Sequence, residues 1–286
     1  MKKILFACDL DNTLIYSAKK IPPEKAALCV EYLGDKPQGF MSQATVALLQ
    51  KITSRVQPVP VTTRSYSQYT RLNWPPGCTM TLALVANGAL FLEGGVINAS
   101  WEEESRRLVQ PYVPELTKLR DILAREGGYR HCRLVDDFFL FLACEDEETA
   151  AHRRQELQAK TSNLQVEVTG RKIYLIPPEL SKGQALRRLQ KRLQPKLTLA
   201  AGDSEMDLPM LREANMAFVP TKKMGEGLPS GRYCLCEGEE LFAEIFLRRM
   251  LEMLAAQEKS TTFQSQCNSV QIEKACLLGG EALWQE

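Results

Sequence analysis

Short apolar runs that end in polar residues recur along the chain. The first covers Ile4 to Cys8 and is followed directly by Asp9 to Asn12. An uninterrupted apolar run of this length is typical of a strand that is buried on both faces of a parallel sheet. Similar runs cover 59–61, 82–86 and 197–201. Because ligands bind at the carboxyl ends of the strands in open α/β sheets, the pattern predicts an active site where these runs end.

Helical spacing separates these runs. Residues 45–52 carry apolar side chains on one helical face, 209–213 predict a shorter helix, and 239–256 predict a long closing helix after a further strand at 216–219. Strands that alternate with helices indicate an α/β fold, with a Rossmann-like, doubly wound parallel sheet. Pro58 and Pro60 argue against a central position for the strand at 59–61, because proline has no N–H to donate to a neighbouring strand.

A segment with a different pattern interrupts this alternation. It predicts a helix over 101–125, a strand pair over 133–143 that turns at Asp136-Asp137, a helix over 145–160, and a second strand pair over 165–176 that turns near Gly170. Helix, hairpin, helix, hairpin describes a small α+β unit. We therefore predict an inserted α+β cap domain within a larger core. The predicted bounds are 1–92 and 178–256 for the core, 93–177 for the cap, and 257–286 for a mobile tail.

Composition narrows the classes of partner. The 286 residues include 36 basic and 35 acidic side chains, a net charge of +1. A balance this even argues against nucleic acid or an anionic membrane surface as the main partner. No run of 18 apolar residues predicts a membrane span. Nothing in the sequence indicates an oligomeric state.

The cysteines indicate a reducing compartment. Their number, 9, is odd, and the apolar run near the amino terminus is interrupted by Asp9 before it could form a secretion signal. Cys234 and Cys236 could be grouped with Cys267 and Cys276, but this spacing matches no zinc pattern. We expect reduced thiols and a cytoplasmic protein.

The first candidate catalytic residues lie in the motif Asp9-Leu10-Asp11-Asn12-Thr13, directly after the first strand. A carboxylate in a tight turn at a strand end can act as a nucleophile, and a second carboxylate two residues later can donate or accept a proton. Two aspartates in one loop are also common as a helix cap, a turn or a simple metal site, so the motif alone leaves these alternatives open.

Three further motifs support the catalytic interpretation of these two aspartates. Thr62 ends the second strand and offers a hydroxyl, although it could equally cap a helix. Lys182 lies in the first turn of a predicted amphipathic helix, where it opposes the helix dipole and favours an anionic partner, or else simply faces solvent. Asp203 and Asp207 are four residues apart at a strand-to-helix turn, where both can face one hard cation or serve as an ordinary cap.

In this order, the four motifs make the chain resemble the haloacid dehalogenase superfamily, and its insertion resembles the larger α+β cap of the sucrose-phosphate, trehalose-phosphate and mannosyl-3-phosphoglycerate phosphatases. The resemblance implies a phosphatase with Asp9 as nucleophile, Asp11 as acid and base, and Thr62 and Lys182 as phosphoryl ligands. It implies Mg²⁺ as cofactor. The metal ligands that it implies are Asp9, Asp11 through its backbone carbonyl, Asp203 and Asp207.

The chain also departs from the superfamily pattern. Met206 stands where the acidic motif commonly has asparagine, and Thr63 stands where the threonine motif commonly has glycine before Arg64. We expect Thr63, Arg64 and Asn87, which follow the second and third strands, to bind substrate. Cap residues are further candidates for contact with a second anionic group of the substrate: Arg130, Arg133, Arg171 and Lys172.

The resemblance predicts a magnesium-dependent phosphomonoester hydrolase that acts on a small phosphorylated metabolite, such as a sugar phosphate, through an aspartyl-phosphate intermediate. Two alternatives stay open. A phosphomutase of the same superfamily needs the same residues, and a non-catalytic module that binds phosphorylated metabolites would retain the fold. The presence of both Asp9 and Asp11 favours an enzyme over the binding module.

Overall fold

The computed structural model of the chain describes residues 4–256, so the tail predicted at 257–286 lies outside the described residues. The strands are β1 (Ile4–Cys8), β2 (Ala27–Leu33), β3 (Lys36–Ser42), β4 (Gln57–Pro60), β5 (Leu82–Val85), β6 (Leu90–Glu93), β7 (Val96–Ile97), β8 (His131–Val135), β9 (Phe139–Ala143), β10 (Gln165–Thr169), β11 (Lys172–Ile176), β12 (Leu197–Ala201), β13 (Met216–Val219) and β14 (Tyr233–Leu235). The helices are α1 (Gln43–Arg55), α2 (Tyr66–Tyr69), α3 (Ala99–Val109), α4 (Val113–Glu126), α5 (Glu147–Lys160), α6 (Lys182–Leu193), α7 (Leu208–Glu213), α8 (Lys222–Glu226) and α9 (242–256). None of these helices is both long and apolar enough to cross a lipid bilayer.

The core of the fold is a parallel sheet of five strands in the order β14–β13–β12–β1–β4. Alternate residues of β1 enter different apolar clusters on the two sides of this sheet: Leu5 and Ala7 pack with α6 and α7, while Phe6 and Cys8 pack with α1 and α9. A strand covered on both faces has to be apolar throughout, which explains why β1 reads as one apolar run. The α/β fold class with a Rossmann-like sheet is confirmed.

The prolines of β4 fit the sheet because of the direction in which they face. The amide of Val61, just after β4, donates to the carbonyl of Cys8 in β1 at 2.8 Å. Since successive amides of a strand point to opposite sides, those of Pro58 and Pro60 would point away from β1. On that side β5 pairs with the β4 segment only from the Val61–Leu84 bridge onward. The ladder with β1 therefore loses no hydrogen bond to either proline.

The strand order places a topological switch point beside β1. From β1 the chain moves to β4 on one side, whereas β12, β13 and β14 follow in turn on the other side. In sheets of this kind, the crevice outside the carboxyl ends of the two strands at the switch point is the usual place for a ligand. Here those two ends are followed by Asp9 and by Gly202.

A second, antiparallel sheet lies within the predicted insertion, with the strand order β10–β11–β9–β8. Helices α4 and α5 contact these strands. Both predicted hairpins are present, and Asp136 and Asp137 turn the first of them with φ angles of 46° and 65°. The domain bounds 93–177 stay a prediction; the strand pairs formed by β5, β6 and β7 run across the first of them.

The structure corrects the predicted helix over 101–125. It consists of two helices, α3 and α4, joined by a 3₁₀ turn at Gln110–Tyr112. Pro111 lies in that turn, and because proline lacks an amide hydrogen and clashes with the preceding turn, it ends a regular helix. The β2–β3 hairpin and the edge strand β14 are further elements that were not predicted from the sequence.

A close approach between β5 and α6 yields a test of stability. Gly88 follows β5 with a φ of +88°, and a Cβ atom added there would lie 2.1 Å from the Cβ of Ala185 in α6. Gly94 has a φ of +60° but no atom within 4 Å of its added Cβ. Both Gly→Ala changes carry the backbone cost of a left-handed conformation, about 1–2 kcal/mol. Only Gly88→Ala adds overpacking, for which we expect a further loss of about 1–3 kcal/mol.

Denaturant unfolding of the two variants measures the difference. We expect a lower midpoint for Gly88→Ala than for the matched Gly94→Ala, with unchanged slopes. Equal losses of stability in the two variants would show that α6 can move away from Gly88 without cost.

Candidate active site

The first site residue is fixed between two strands. The amide of Asp9 donates to the carbonyl of Ala201 at the end of β12, at 3.0 Å, and the side chain is buried. The chain then turns sharply, because the amides of Thr13, Leu14 and Ile15 all donate to the carbonyl of Leu10. This turn holds the Asp9 carboxylate at the switch point, as expected from the motif.

Lys182 reaches the same point from the beginning of α6. It is 97% buried, and its Nζ donates to Oδ1 of Asp9 at 2.5 Å and to Oδ1 of Asp207 at 2.6 Å. The Oγ of Ser181 accepts a bond from the amide of Gln184, which fixes the beginning of the helix. Lys182 is therefore a buried cation between two carboxylates, and the alternative of a solvent-exposed lysine is excluded.

Asp207 organises the acidic loop from its centre. Its side chain is fully buried; Oδ2 accepts bonds from the amides of Asp203 and Ser204 at 3.1 and 2.9 Å and from the Ser204 hydroxyl at 2.8 Å. Gly202 is required beside it, since a Cβ atom there would lie 2.5 Å from the Cβ of Asp207. One carboxylate oxygen of Asp207 thus shapes the loop, and the other binds Lys182.

Asp203 completes an acidic cluster. Its Oδ1 accepts a bond from the hydroxyl of Thr13 at 3.0 Å. Carboxylate oxygens of Asp9, Asp203 and Asp207 lie within 4.8 Å of one another. Burial and the repulsion from Asp207 raise the pKa of Asp203 to about 6. Burial also raises the pKa of Asp9 to about 8, against the opposing effect of Lys182.

This donor set fits a hard divalent cation. Three carboxylates surround a single lysine, so the cluster carries more negative than positive charge when all of them are ionised. Several carboxylate oxygens at close range are the ligands that Mg²⁺ takes in proteins. Burial is the main cause of the raised pKa values, and repulsion between the neighbouring carboxylates adds to it; a bound cation would oppose both effects.

Asp11 does not join this cluster with its side chain. Arg64 holds its carboxylate through two hydrogen bonds, from Nη2 at 2.7 Å and from Nε at 3.0 Å. Burial opposes ionisation of Asp11, but the bonds from Arg64 outweigh it and lower the pKa of the carboxyl group. The predicted metal contact through the Asp11 carbonyl stays a prediction.

The other predicted residues occupy different places. Thr62 is buried and does not itself line the cavity described below; its hydroxyl accepts a bond from the amide of Arg64 at 3.2 Å and donates none to a side chain or carbonyl of residues 4–256. Thr63 lines the cavity described below. Asn87 is buried in a left-handed conformation, and its amide group donates to the carbonyl of Leu180 at 3.3 Å. That contact steadies the segment before α6, and it lends no support to the substrate-binding role predicted for Asn87.

Sequence reasoning missed Glu31 in β2. Its side chain is buried and accepts bonds from Arg64 at 2.8 Å and from Arg71 at 3.0 Å. Arg64 therefore bridges Glu31 and Asp11. The signal for this residue was present, because Glu31 is the one charged residue in the sequence of β2 and lies next to Val30. An acid in an apolar strand needs a buried partner.

A cavity of about 670 Å³, the catalytic cavity, joins these residues to the second sheet. On the core side it is lined by Asp9, Asp11, Lys182 and Asp203. On the other side it is lined by β11 and the turn before it, with Arg171, Lys172 and Tyr174. Met206, at the departure from the acidic motif, lines the cavity as well. Two of the four predicted cap residues, Arg171 and Lys172, thus lie across one cavity from the predicted nucleophile.

Comparisons with known proteins agree with this architecture. Residues 132–220 match the family model of the haloacid dehalogenase-like hydrolases. This match contains Lys182, Asp203 and Asp207 and begins after Asp9, Asp11 and Thr62 in the chain. No curated protein sequence matches the chain at a significant level.

Solved structures extend the likeness to almost the whole described chain. A sucrose-phosphatase from Synechocystis, in complex with sucrose and phosphate, aligns with a TM-score of 0.57 at 16% identity, over 88% of this chain and 98% of its own. A trehalose-6-phosphate phosphatase related protein aligns with 0.52 at 18% identity, over 89% and 99%. A haloalkanoate dehalogenase superfamily phosphatase from Bacteroides thetaiotaomicron aligns with 0.50 at 14% identity, over 88% and 95%. At these identities the likeness establishes the fold, and with the family match it confirms the resemblance predicted from the motifs.

The acidic cluster predicts an unusual pH dependence of stability for the metal-free chain. The folded state retains protons on Asp203 and Asp9, with pKa values of about 6 and 8, that the unfolded chain releases near the ordinary aspartate value of 3.8. The contribution of these groups to the free energy of unfolding therefore falls as pH rises from about 4 to about 8 and then levels off. Asp203→Asn removes part of this cost. We expect the variant to be about 1–3 kcal/mol more stable than wild type at pH 7 in a chelator.

Denaturant unfolding across this pH range, in the presence of a chelator, measures the effect. Asp35→Asn, in an exposed turn, is the control and should leave the curve unchanged. An Asp203→Asn variant that is less stable than wild type at pH 7 would contradict this account of the cluster.

Proposed function

We propose that this chain, a haloacid dehalogenase-like hydrolase by its family match and its fold, is a magnesium-dependent phosphatase of small phosphorylated metabolites. The observation that carries the proposal is the arrangement at the switch point. There Asp9, Lys182 and the acidic loop converge on one cavity that the second sheet closes from above the strand ends. Each of the four motifs contributes a residue to this region.

The residues that would hold Mg²⁺ are Asp9, Asp203 and Asp207, together with the backbone carbonyl of Asp11. The ion supplies positive charge that neutralises the phosphoryl oxygens. That charge matters, because a phosphomonoester brings about two negative charges towards an anionic nucleophile. Lys182, already between Asp9 and Asp207, adds a fixed positive charge on the protein side.

Asp9 is the proposed nucleophile. One of its carboxylate oxygens attacks phosphorus, a bond forms between that oxygen and phosphorus, and the bond from phosphorus to the leaving oxygen breaks. The product is an aspartyl phosphate on Asp9, which a water molecule then hydrolyses to release phosphate. Lys182 and the free hydroxyl hydrogen of Thr62 orient the phosphoryl oxygens during both steps.

Asp11 is the proposed proton carrier, and Arg64 controls it. With both oxygens bound by Arg64 and its pKa lowered, the Asp11 carboxylate is ready to accept a proton, as hydrolysis of the aspartyl phosphate requires. To act as the acid in the first step, Asp11 has to take up a proton from solvent and exchange one bond to Arg64 for a bond to the substrate. It gives this proton to the leaving oxygen and is then the carboxylate that accepts a proton from the attacking water in the second step. Glu31 gives Arg64 an alternative partner during that exchange.

The proposed substrate is a sugar phosphate or a similar small metabolite. The similar structures include a sucrose-phosphatase that holds sucrose and phosphate and a protein related to a trehalose-6-phosphate phosphatase, and they support this class. The predicted cytoplasmic location stays part of the proposal, and it is supported by the seven cysteines of the described residues, which are free thiols. Nucleic acid and membrane are not among the proposed partners.

Substitution of the two aspartates tests the mechanism. Asp9→Asn removes the nucleophile with little change in volume, so we expect turnover of p-nitrophenyl phosphate with Mg²⁺ to fall by about 10³-fold or more. Asp11→Asn retains the backbone carbonyl, so we expect turnover to fall by about 10²- to 10⁴-fold while the affinity for Mg²⁺ changes little. Initial rates and a magnesium titration provide both quantities.

Asp35→Asn is the control for loss of a carboxylate and should leave the rate unchanged, and near-ultraviolet circular dichroism verifies folding. Wild-type rates in a folded Asp9→Asn variant would eliminate the aspartyl-phosphate mechanism. Activity that requires a sugar bisphosphate activator would identify the phosphomutase instead. A wild-type chain that binds phosphate but turns over no phosphomonoester would identify the non-catalytic module.

A further inference from the structure

A second cavity of about 500 Å³ adjoins the catalytic cavity, and we call it the side cavity. Residues that line both cavities are Asp11, Thr63, Arg171, Lys172 and Tyr174. The shared lining shows that the two spaces meet beside the proposed proton carrier. A substrate whose phosphoryl group lies at Asp9 would therefore extend its leaving group towards the side cavity.

The side cavity is lined by one face of the second sheet. Arg133 in β8, Phe141 in β9 and Tyr174 in β11 are directly opposite one another in the strand register. Lys172 lies two residues before Tyr174 and so shares its face, because side chains alternate along a strand. The opposite face packs on the helices: the thiol of Cys132, for example, contacts the carbonyl of Arg120 in α4. The face that carries Arg133 and Lys172 is thus the face left open to a ligand.

The carboxylates of this cavity are already neutralised. Asp11 and Glu31 line it, and they form ion pairs with Arg64 and Arg71, which line it too. Three cations remain. Within residues 4–256, none of Arg133, Arg171 and Lys172 forms an ion pair, and the only ring contact of Arg133 is with Phe141, at 5.4 Å.

The positive charge is concentrated on this side of the site. Asp146 and Glu147 line the catalytic cavity but not the side cavity. Arg130, the fourth candidate from the sequence, is ion-paired with Glu145 and lines neither cavity. Of the four candidates for contact with a second anionic group, Arg133, Arg171 and Lys172 therefore line the side cavity and Arg130 does not.

We propose that Arg133, Arg171 and Lys172 form a second anion subsite, so that the substrate is a phosphomonoester whose leaving group carries a further carboxylate or phosphate. The inference rests on the proposed function, in that the first phosphoryl group is assigned to Asp9. Sucrose and trehalose phosphates carry no such second anion. The chain would therefore share a fold with those phosphatases and differ from them in substrate class.

Binding to the full-length Asp9→Asn chain in the presence of Mg²⁺ tests the subsite without turnover. The ligands differ only in one group: glycerol 3-phosphate, 3-phosphoglycerate and glycerol 1,3-bisphosphate form one set, and glucose 1-phosphate, glucuronic acid 1-phosphate and glucose 1,6-bisphosphate form a longer one. Within each set the second group is neutral, a carboxylate or a phosphate. We expect the second anion to strengthen binding by about tenfold or more in at least one set.

Variants assign that gain to residues. Arg133→Gln, which lines only the side cavity, should lower the gain from the second anion severalfold, and the triple variant Arg133→Gln, Arg171→Gln, Lys172→Gln should abolish it. Arg130→Gln is the matched control, because it removes an arginine from the same sheet region, and it should retain the full gain. The same ratios of kcat/KM in the otherwise wild-type chain provide a second readout that does not depend on Asp9→Asn.

The outcomes separate the two proposals. If wild type hydrolyses p-nitrophenyl phosphate but a second anion strengthens binding in neither set, the subsite is wrong and the proposed function stands. A gain that survives in the triple variant also overturns the subsite. A gain that the triple variant abolishes supports the subsite even if turnover fails, and that failure would then count against the proposed function alone.

Discussion

The contact of Lys182 with Asp9 and Asp207 is the interaction on which the rest of the site depends. A buried ammonium group is unstable without partners, and here two carboxylates share it within 2.6 Å. The contact draws three chain segments to one point, although Asp9 and Lys182 are 173 positions apart in the sequence. Asp207 then transmits the arrangement to the acidic loop through its other oxygen, which binds two backbone amides.

The same interaction is the physical basis of the proposal that the site binds both a cation and a phosphoryl group. Lys182 neutralises only part of the charge of the three carboxylates, so a divalent ion would stabilise the cluster, and the ion would in turn reduce the repulsion of an approaching phosphate. Arg64 and Glu31 form a separate network around Asp11. The side chains proposed to bind metal and the side chain proposed to move a proton are therefore held by different partners.

Much of this could be predicted from the sequence because the signals were local. The apolar run of β1, the motif that follows it and the turn at Asp136-Asp137 each depend on neighbouring residues, and each prediction agrees with the structure. The break between α3 and α4 was missed because the leucine spacing continues past Pro111. The β2–β3 hairpin and Glu31 were missed for another reason. Their role is set by Arg64 and Arg71, which are 33 and 40 positions away, and no local pattern announces such a contact.

The different environments of the cap arginines could not be predicted from local sequence either. Arg130 and Arg133 lie three residues apart in one sequence segment, yet one pairs with Glu145 and the other faces a cavity shared with the core. Only the register of four strands distinguishes them. The sequence could therefore identify the basic side chains of the cap as candidates, but not which of them face the cavity. Whether a charged side chain at a cavity has an ion-pair partner depends on the three-dimensional structure and not on neighbouring residues in the sequence.

The central claim is that the carboxylates around Lys182 form a cation site, and a magnesium titration of stability tests it most directly. The account predicts that the free energy of unfolding of the wild-type chain rises with Mg²⁺ by about 1.4 kcal/mol for each tenfold increase above the dissociation constant. It also predicts that Asp203→Asn moves this rise to higher concentrations. A wild-type chain whose stability is indifferent to Mg²⁺ into the high millimolar range would contradict the claim.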